Sequence, residues 1–106
     1  MSERDFVFDV ETPLNFRVHV TRSYWETIVN VKHPVMEGRE EDVRNTLEHP
    51  DEIRLSRKDS GVYMFYKSER ERRWVCAVAR RLNGDGFLII TYPTDAVKQG
   101  VKIWPR

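Results

Sequence analysis

At 106 residues the chain is sized for one domain with a single modest core. Hydrophobic residues make up 40% and charged residues 33%, which excludes a disordered chain, and a formal net charge of +1 excludes recognition of nucleic acid by bulk charge alone. One cysteine excludes an intramolecular disulfide and a cysteine-built zinc site; with no apolar leader core and no apolar run near the roughly 18 residues of a bilayer span, the chain reads as soluble and cytoplasmic.

Phe6, Phe8 and Val10 recur at every second position, as on one face of a strand. Pro13 interrupts. Phe16, Val18 and Val20 then alternate again, with Arg17 and His19 opposite, so residues 1–20 predict an N-terminal hairpin. Thr21 or Ser23 suits a helix cap. Ser23 and Glu26 have the capping-box spacing, in which hydroxyl and carboxylate each satisfy an end amide. Trp25, Ile28 and Val29 share one face of that helix, and Pro34 ends it near Val31 by disfavouring helical backbone at His33. Met36, Glu40, Val43 and Leu47 trace the stripe of a second helix. Its acidic first turns suit the helix dipole, and His49-Pro50 closes it.

Four strands follow, at residues 52–56, 62–67, 74–82 and 87–92. Asn83-Gly84-Asp85-Gly86 is a strong hairpin signal, because Asn and Gly tolerate the positive φ such turns need. Short connections favour an antiparallel meander. The predicted fold class is therefore α+β: two N-terminal helices packed on a four-stranded antiparallel meander, preceded by an extra N-terminal β-hairpin. Residues 1–106 form one domain, with 1–20 as the hairpin extension and 21–104 as the core. Pro93 stops the last strand, and Thr94 caps a short helix begun by Asp95, Ala96 and Val97.

Few residues carry obvious chemistry. His19 faces outward on a strand and His49 sits at a helix end, both structural places. His33, between the helices, carries an imidazole, a group whose unperturbed pKa near neutrality suits a general acid or base, although a lone junction histidine is more often structural. No histidine pair at metal-ligand spacing and no Gly-rich phosphate loop occur, so neither a metal nor a cofactor is expected. Cys76, inside an apolar run, reads as a buried inert thiol. Arg54, Arg57 and Lys58 surround Ser56, Arg80 and Arg81 end the long strand, and Arg70, Arg72 and Arg73 interleave with Glu69 and Glu71 as in a solvated turn. The meander gathers Thr91, Tyr92, Tyr66 and Lys67 near one edge, with Arg54 and Ser56 further off. Aromatics beside cations suit a stacked base and a phosphate, and more often an ordinary sheet face.

Several segments taken together are more specific: SYWETIVNVKHPVMEGREEDVRNTLEHPDEIRLS, VYMFYK, RRWVCAVARRLNGDGFLIITYPTD and KQGVKIW. They resemble small bacterial and phage domains of the barnase–EndoU–colicin–RelE (BECR) nuclease-like group, over residues 24–104. The resemblance rests on His-Pro after the first helix, the Pro-Asp-x-Ile-x-x-Ser segment, and the closing Thr-Tyr-Pro-Thr with a downstream lysine. It implies two helices before a four-stranded antiparallel sheet, and a metal-independent, toxin-like endoribonuclease. The positions it matches are His33, Ser56 and Thr91, with Arg54 or Lys98 as a nearby cation.

In such an enzyme the ribose 2′-OH attacks the adjacent phosphate. His33 is the acid or base, Arg54 and Lys98 neutralise the phosphate, Ser56, Thr91 and Thr94 donate hydrogen bonds, and Tyr66 or Tyr92 stacks on a base. RNA is then the expected partner and an antitoxin protein a second. Two other readings stay open: a non-catalytic module that binds nucleic acid or protein through the same sheet, and a structural domain whose hairpin pairs with another chain through its free edge.

Overall fold

The computed structural model describes residues 5–97 and 100–105. Its strands are β1 (Phe6–Glu11), β2 (Arg17–Thr21), β3 (Glu52–Leu55), β4 (Val62–Arg70), β5 (Arg73–Leu82), β6 (Asp85–Thr94) and β7 (Val101–Trp104); its α-helices are α1 (Arg22–Thr27) and α2 (Glu40–Glu48). The strands form one seven-stranded mixed sheet in the order β1-β2-β6-β5-β4-β3-β7.

That sheet overturns the expected architecture of two helices on a four-stranded meander with an appended hairpin. The hairpin is part of the sheet: β2 runs parallel to β6, with His19 opposite Phe87, and the Arg17 amide donates to the Gly84 carbonyl at 3.0 Å. Gly86 permits the approach, because a Cβ there would lie 2.4 Å from the Arg80 carbonyl oxygen and 3.2 Å from that of Arg17. At the opposite end β7 pairs antiparallel with β3, Lys102 facing Arg54. Four residues next to a proline give too short a period to announce a strand.

The helices are also shorter than expected. α1 has six residues and passes into a π-helical turn, Ile28–Lys32, then a 3-10 turn, Pro34–Met36. The His33 amide reaches back to the Ile28 carbonyl at 2.8 Å, so the helix widens before Pro34 breaks it. Thr21 is the cap: its Oγ1 accepts from the Tyr24 amide at 3.2 Å, which puts Ser23 inside the helix. Met36 packs from the 3-10 turn and not from α2, which starts at Glu40.

The helical elements cover one face of the sheet. Phe16, Val18, Val20, Ile28, Met36, Val43, Leu47, Ile53, Phe65 and Leu88 are all essentially sealed from solvent there. Phe16, from the hairpin, lies among rings of the central sheet, 5.3 Å from Tyr63 and 6.1 Å from Phe65 between centroids. A bulge between Phe6 and Phe8 separates those two: Phe8 joins the core, whereas Phe6 stacks on His19 at 4.5 Å. Pro93 does not stop β6, for it lies opposite Val75 within the strand. β2 pairs with β6 only near Phe87, so beyond that point β6 has no strand on its outer side among the described residues and can carry a proline. Residues 95–97 are not helical; the Thr94 Oγ1 accepts instead from the Ala96 amide at 3.3 Å. No described helix is long and apolar enough to cross a membrane.

Candidate functional site

The face turned away from the helices is built differently. Along β5, Val75, Ala77 and Ala79 point into the core, while Trp74, Cys76 and Val78 point to this second face. Tyr66 lies opposite Cys76, and Cys76 opposite Tyr92. A thiol therefore sits between two phenols in a row across β4, β5 and β6. Met64, Tyr66 and Cys76 are buried, and Trp74, Val78, Tyr92 and Val97 pack around them.

Burial governs the proton chemistry of the row. It pushes the Cys76 thiol up to about 11 and holds the Tyr66 and Tyr92 hydroxyls well above the ordinary phenol range; the neighbouring thiol acts in the same direction on both. The Arg54 charge opposes this weakly at Tyr66. Near neutrality the three groups are thus uncharged, able to donate hydrogen bonds but not to act as nucleophiles.

His33 meets this row at its outer end. Its half-buried ring lies 5.4 Å from that of Tyr92, tilted by 40°. The α1 side of the approach is fixed by Tyr24, whose hydroxyl donates to the Ile89 carbonyl at 2.7 Å. Arg54 approaches from β3, opposite Met64. Its Nη1 lies 3.1 Å from Glu52 Oε2, and its buried Nε has no hydrogen-bond partner among the described residues.

The other expected site residues fall elsewhere. Thr91 is fully buried and points to the core face, where its hydroxyl donates to the Cys76 carbonyl at 2.8 Å. A bulge between Val78 and Ala79 leaves β6 one residue longer than its partner, so Thr91 and Leu88 share the core face and Tyr92 the other. Ser56 stands past the end of β3, its Oγ accepting from the Lys58 amide at 3.2 Å. It lines a separate cleft of about 190 Å³ with Arg57, Lys58, Met64 and Gly100. Thr94 is at the opposite end, engaged with Ala96. Lys98 lies outside the described residues.

The structure thus joins His33 to Tyr92, links Tyr92 to Tyr66 through Cys76, and sets Arg54 at the other end of the row, near Tyr66. Cys76 as the link and Glu52 as the arginine's counter-ion were missed in the sequence. Six consecutive apolar residues at 74–79 hide which of them share a face, whereas Glu52, two positions before Arg54, carried a readable signal. His19 lies on the outer surface with its Nδ1 3.7 Å from Asp85, and His49 is exposed at the end of α2. Among the described residues, no group of three or more His, Cys, Asp or Glu side chains is placed to hold a metal ion. No protein-family model, curated protein or solved structure matches the chain.

Proposed function

We propose that the chain is a toxin-like endoribonuclease that cleaves RNA by 2′-OH attack without a metal. The observation that carries this reading is the contact of His33, the one histidine beside the second face, with Tyr92 at the end of the phenol–thiol row. In the reaction the 2′ oxygen bonds to phosphorus as the P–O5′ bond breaks, leaving a 2′,3′-cyclic phosphate and a 5′-OH. His33 takes the 2′-OH proton or supplies one to O5′, and solvent water exchanges the other. Tyr92, protonated near neutrality, donates to a phosphate oxygen or stacks on a base, and Arg54 offsets the charge that builds on phosphorus. Tyr66, at 2% exposure, lies across Cys76 from Tyr92 and does not itself stack. Membership of the BECR group, action in the cytoplasm and control by an antitoxin protein belong to the same proposal and rest on the sequence segments quoted above.

One observation favours a second reading. With Thr91 sealed in the core and Ser56 and Thr94 bonded within turns, His33 is left as the one histidine beside this face, with no second imidazole among the described residues to share the proton transfers. A module that binds RNA without cutting it needs no second acid or base. Incubating wild type and His33→Ala with a mixed RNA pool separates the two. The nuclease reading expects a loss of about 10²-fold or more on substitution. Undiminished cutting by the variant removes His33 from the mechanism. Salt-dependent binding by a wild type that never cuts selects the binding module.

A further inference from the structure

A second cleft, about 410 Å³ in volume, is lined by Val35, Arg39, Glu69, Arg70, Arg73 and Pro93. Val35 follows His33-Pro34 in the chain and Pro93 follows Tyr92, so the cleft is one chain step from the His33–Tyr92 contact, on the side of β6 where Pro93 lies opposite Val75. Three guanidinium groups, two from one turn and one from a distant helix start, meet there around Glu69. Arg39 comes from the residue that opens α2, and Arg70 and Arg73 from opposed positions where β4 turns into β5.

The charges are not mutually satisfied. Glu69 pairs with Arg39 through Oε1, and Arg39 also reaches Asp42 at 2.8 Å. The other oxygen of Glu69 stands 4.0 Å from Arg73 Nε, beyond hydrogen-bond range, and that buried nitrogen has no hydrogen-bond partner among the described residues. Arg70 is exposed and makes no ion pair among them. Three cations against Glu69 and the neighbouring Asp42 leave this cleft cationic in a chain whose net charge is only +1.

We infer that this cleft binds a backbone phosphate of single-stranded RNA, one that flanks the nucleotide held at His33 and Tyr92; the inference rests on RNA being the ligand, as proposed above. Guanidinium forks pair with phosphate oxygens through two parallel N–H donors, and Arg73 Nε and the whole Arg70 fork are available for that. Glu69 has two effects. It orients Arg39 and Arg73, and it opposes the incoming anion.

The test is anisotropy titration of the full chain with a 2′-O-methyl oligoribonucleotide, which cannot undergo 2′-OH attack, at several salt concentrations. Arg70→Ala, an exposed substitution that leaves the core intact, is expected to weaken binding about 5-fold and to flatten the slope of log affinity against log salt by about 0.7. Glu69→Gln is expected to tighten binding about 3-fold, because the competing charge is gone. A purely structural role for the ion pair predicts the opposite sign. If Arg70→Ala and the double variant Arg70→Ala/Arg73→Ala both bind as wild type does, the cleft is not a phosphate site. That failure is distinct from failure of the nuclease reading: arginine variants that lose affinity while His33→Ala cuts normally keep the cleft and discard the catalytic role. A wild type that binds no oligonucleotide at low salt discards both.

Discussion

The two faces of the sheet draw on the same strands and differ in almost every other respect. Toward the helices, β4, β5 and β6 present Phe65, Val75, Ala77, Ala79 and Leu88, closed over by Phe16, Ile28, Met36 and Leu47. Away from them the alternate residues are Met64, Tyr66, Cys76, Trp74, Val78 and Tyr92. The first set carries no ionisable group. The other places two hydroxyls and a thiol in nearly dry surroundings, with an arginine and a histidine at its margins. Period-two alternation therefore gives each strand two tasks, stability on one side and a polar, proton-retaining surface on the other. Substitutions that act on one face and spare the other sharpen that division; those that act on both break it.

The largest effect is expected at Phe16. It belongs to the hairpin yet lies fully buried among central rings, with the Arg81 guanidinium 4.8 Å above its own. Phe16→Ala should cost about 3–5 kcal/mol, read from the urea midpoint at unchanged m-value. A cost below about 1 kcal/mol would make the hairpin an appendage and return the fold to the arrangement expected from sequence.

The next effect belongs to the second face and depends on pH. Folded, the Cys76 thiol keeps its proton up to about 11, against an ordinary 9.0. Above pH 9 the unfolded chain releases that proton first, so the unfolded state binds fewer protons and stability falls as pH rises toward 11. At 1.36 kcal/mol per pKa unit the loss from this one group is at most about 3 kcal/mol. Tyr66 and Tyr92, displaced in the same direction, extend the decline to higher pH. Cys76→Ala should flatten the urea midpoint between pH 9 and 11 without abolishing the later fall. An identical slope in the variant would mean that the thiol is not held in a dry row.

Alternation and turn residues made six of the seven strands legible, because each signal lies within about ten residues of chain. What was not legible is non-local. β2 joins β6 through His19 and Phe87, 68 positions apart by their numbers, and nothing in either segment names the other. β7 is four residues long and takes its place only because β3 offers an edge. His33 was recognisable as a titratable residue at a junction, and Tyr92 as an aromatic at a strand end; their contact needed the π-helical turn and the 3-10 turn that carry the chain past β6. Thr91 was misplaced for the most local of reasons. A single extra residue in β6 reverses which side chains face the core, and Ile89-Ile90 looks the same whether or not it is bulged.

Thr91 also gives the smallest and most discriminating prediction. Valine matches threonine in shape, so Thr91→Val preserves packing and removes one hydroxyl. If that hydroxyl only donates to the Cys76 carbonyl, the cost is a single buried hydrogen bond, about 1 kcal/mol by urea unfolding, and any RNA cleavage stays within about 2-fold of wild type. If Thr91 instead reaches the phosphate, as the resemblance to BECR nucleases implied, cleavage falls about 10²-fold with no larger stability cost. Tyr92→Phe is the matched control on the opposite side of the same strand. It removes a hydroxyl one residue away, spares the Thr91–Cys76 bond, and is expected to lower cleavage where Thr91→Val does not.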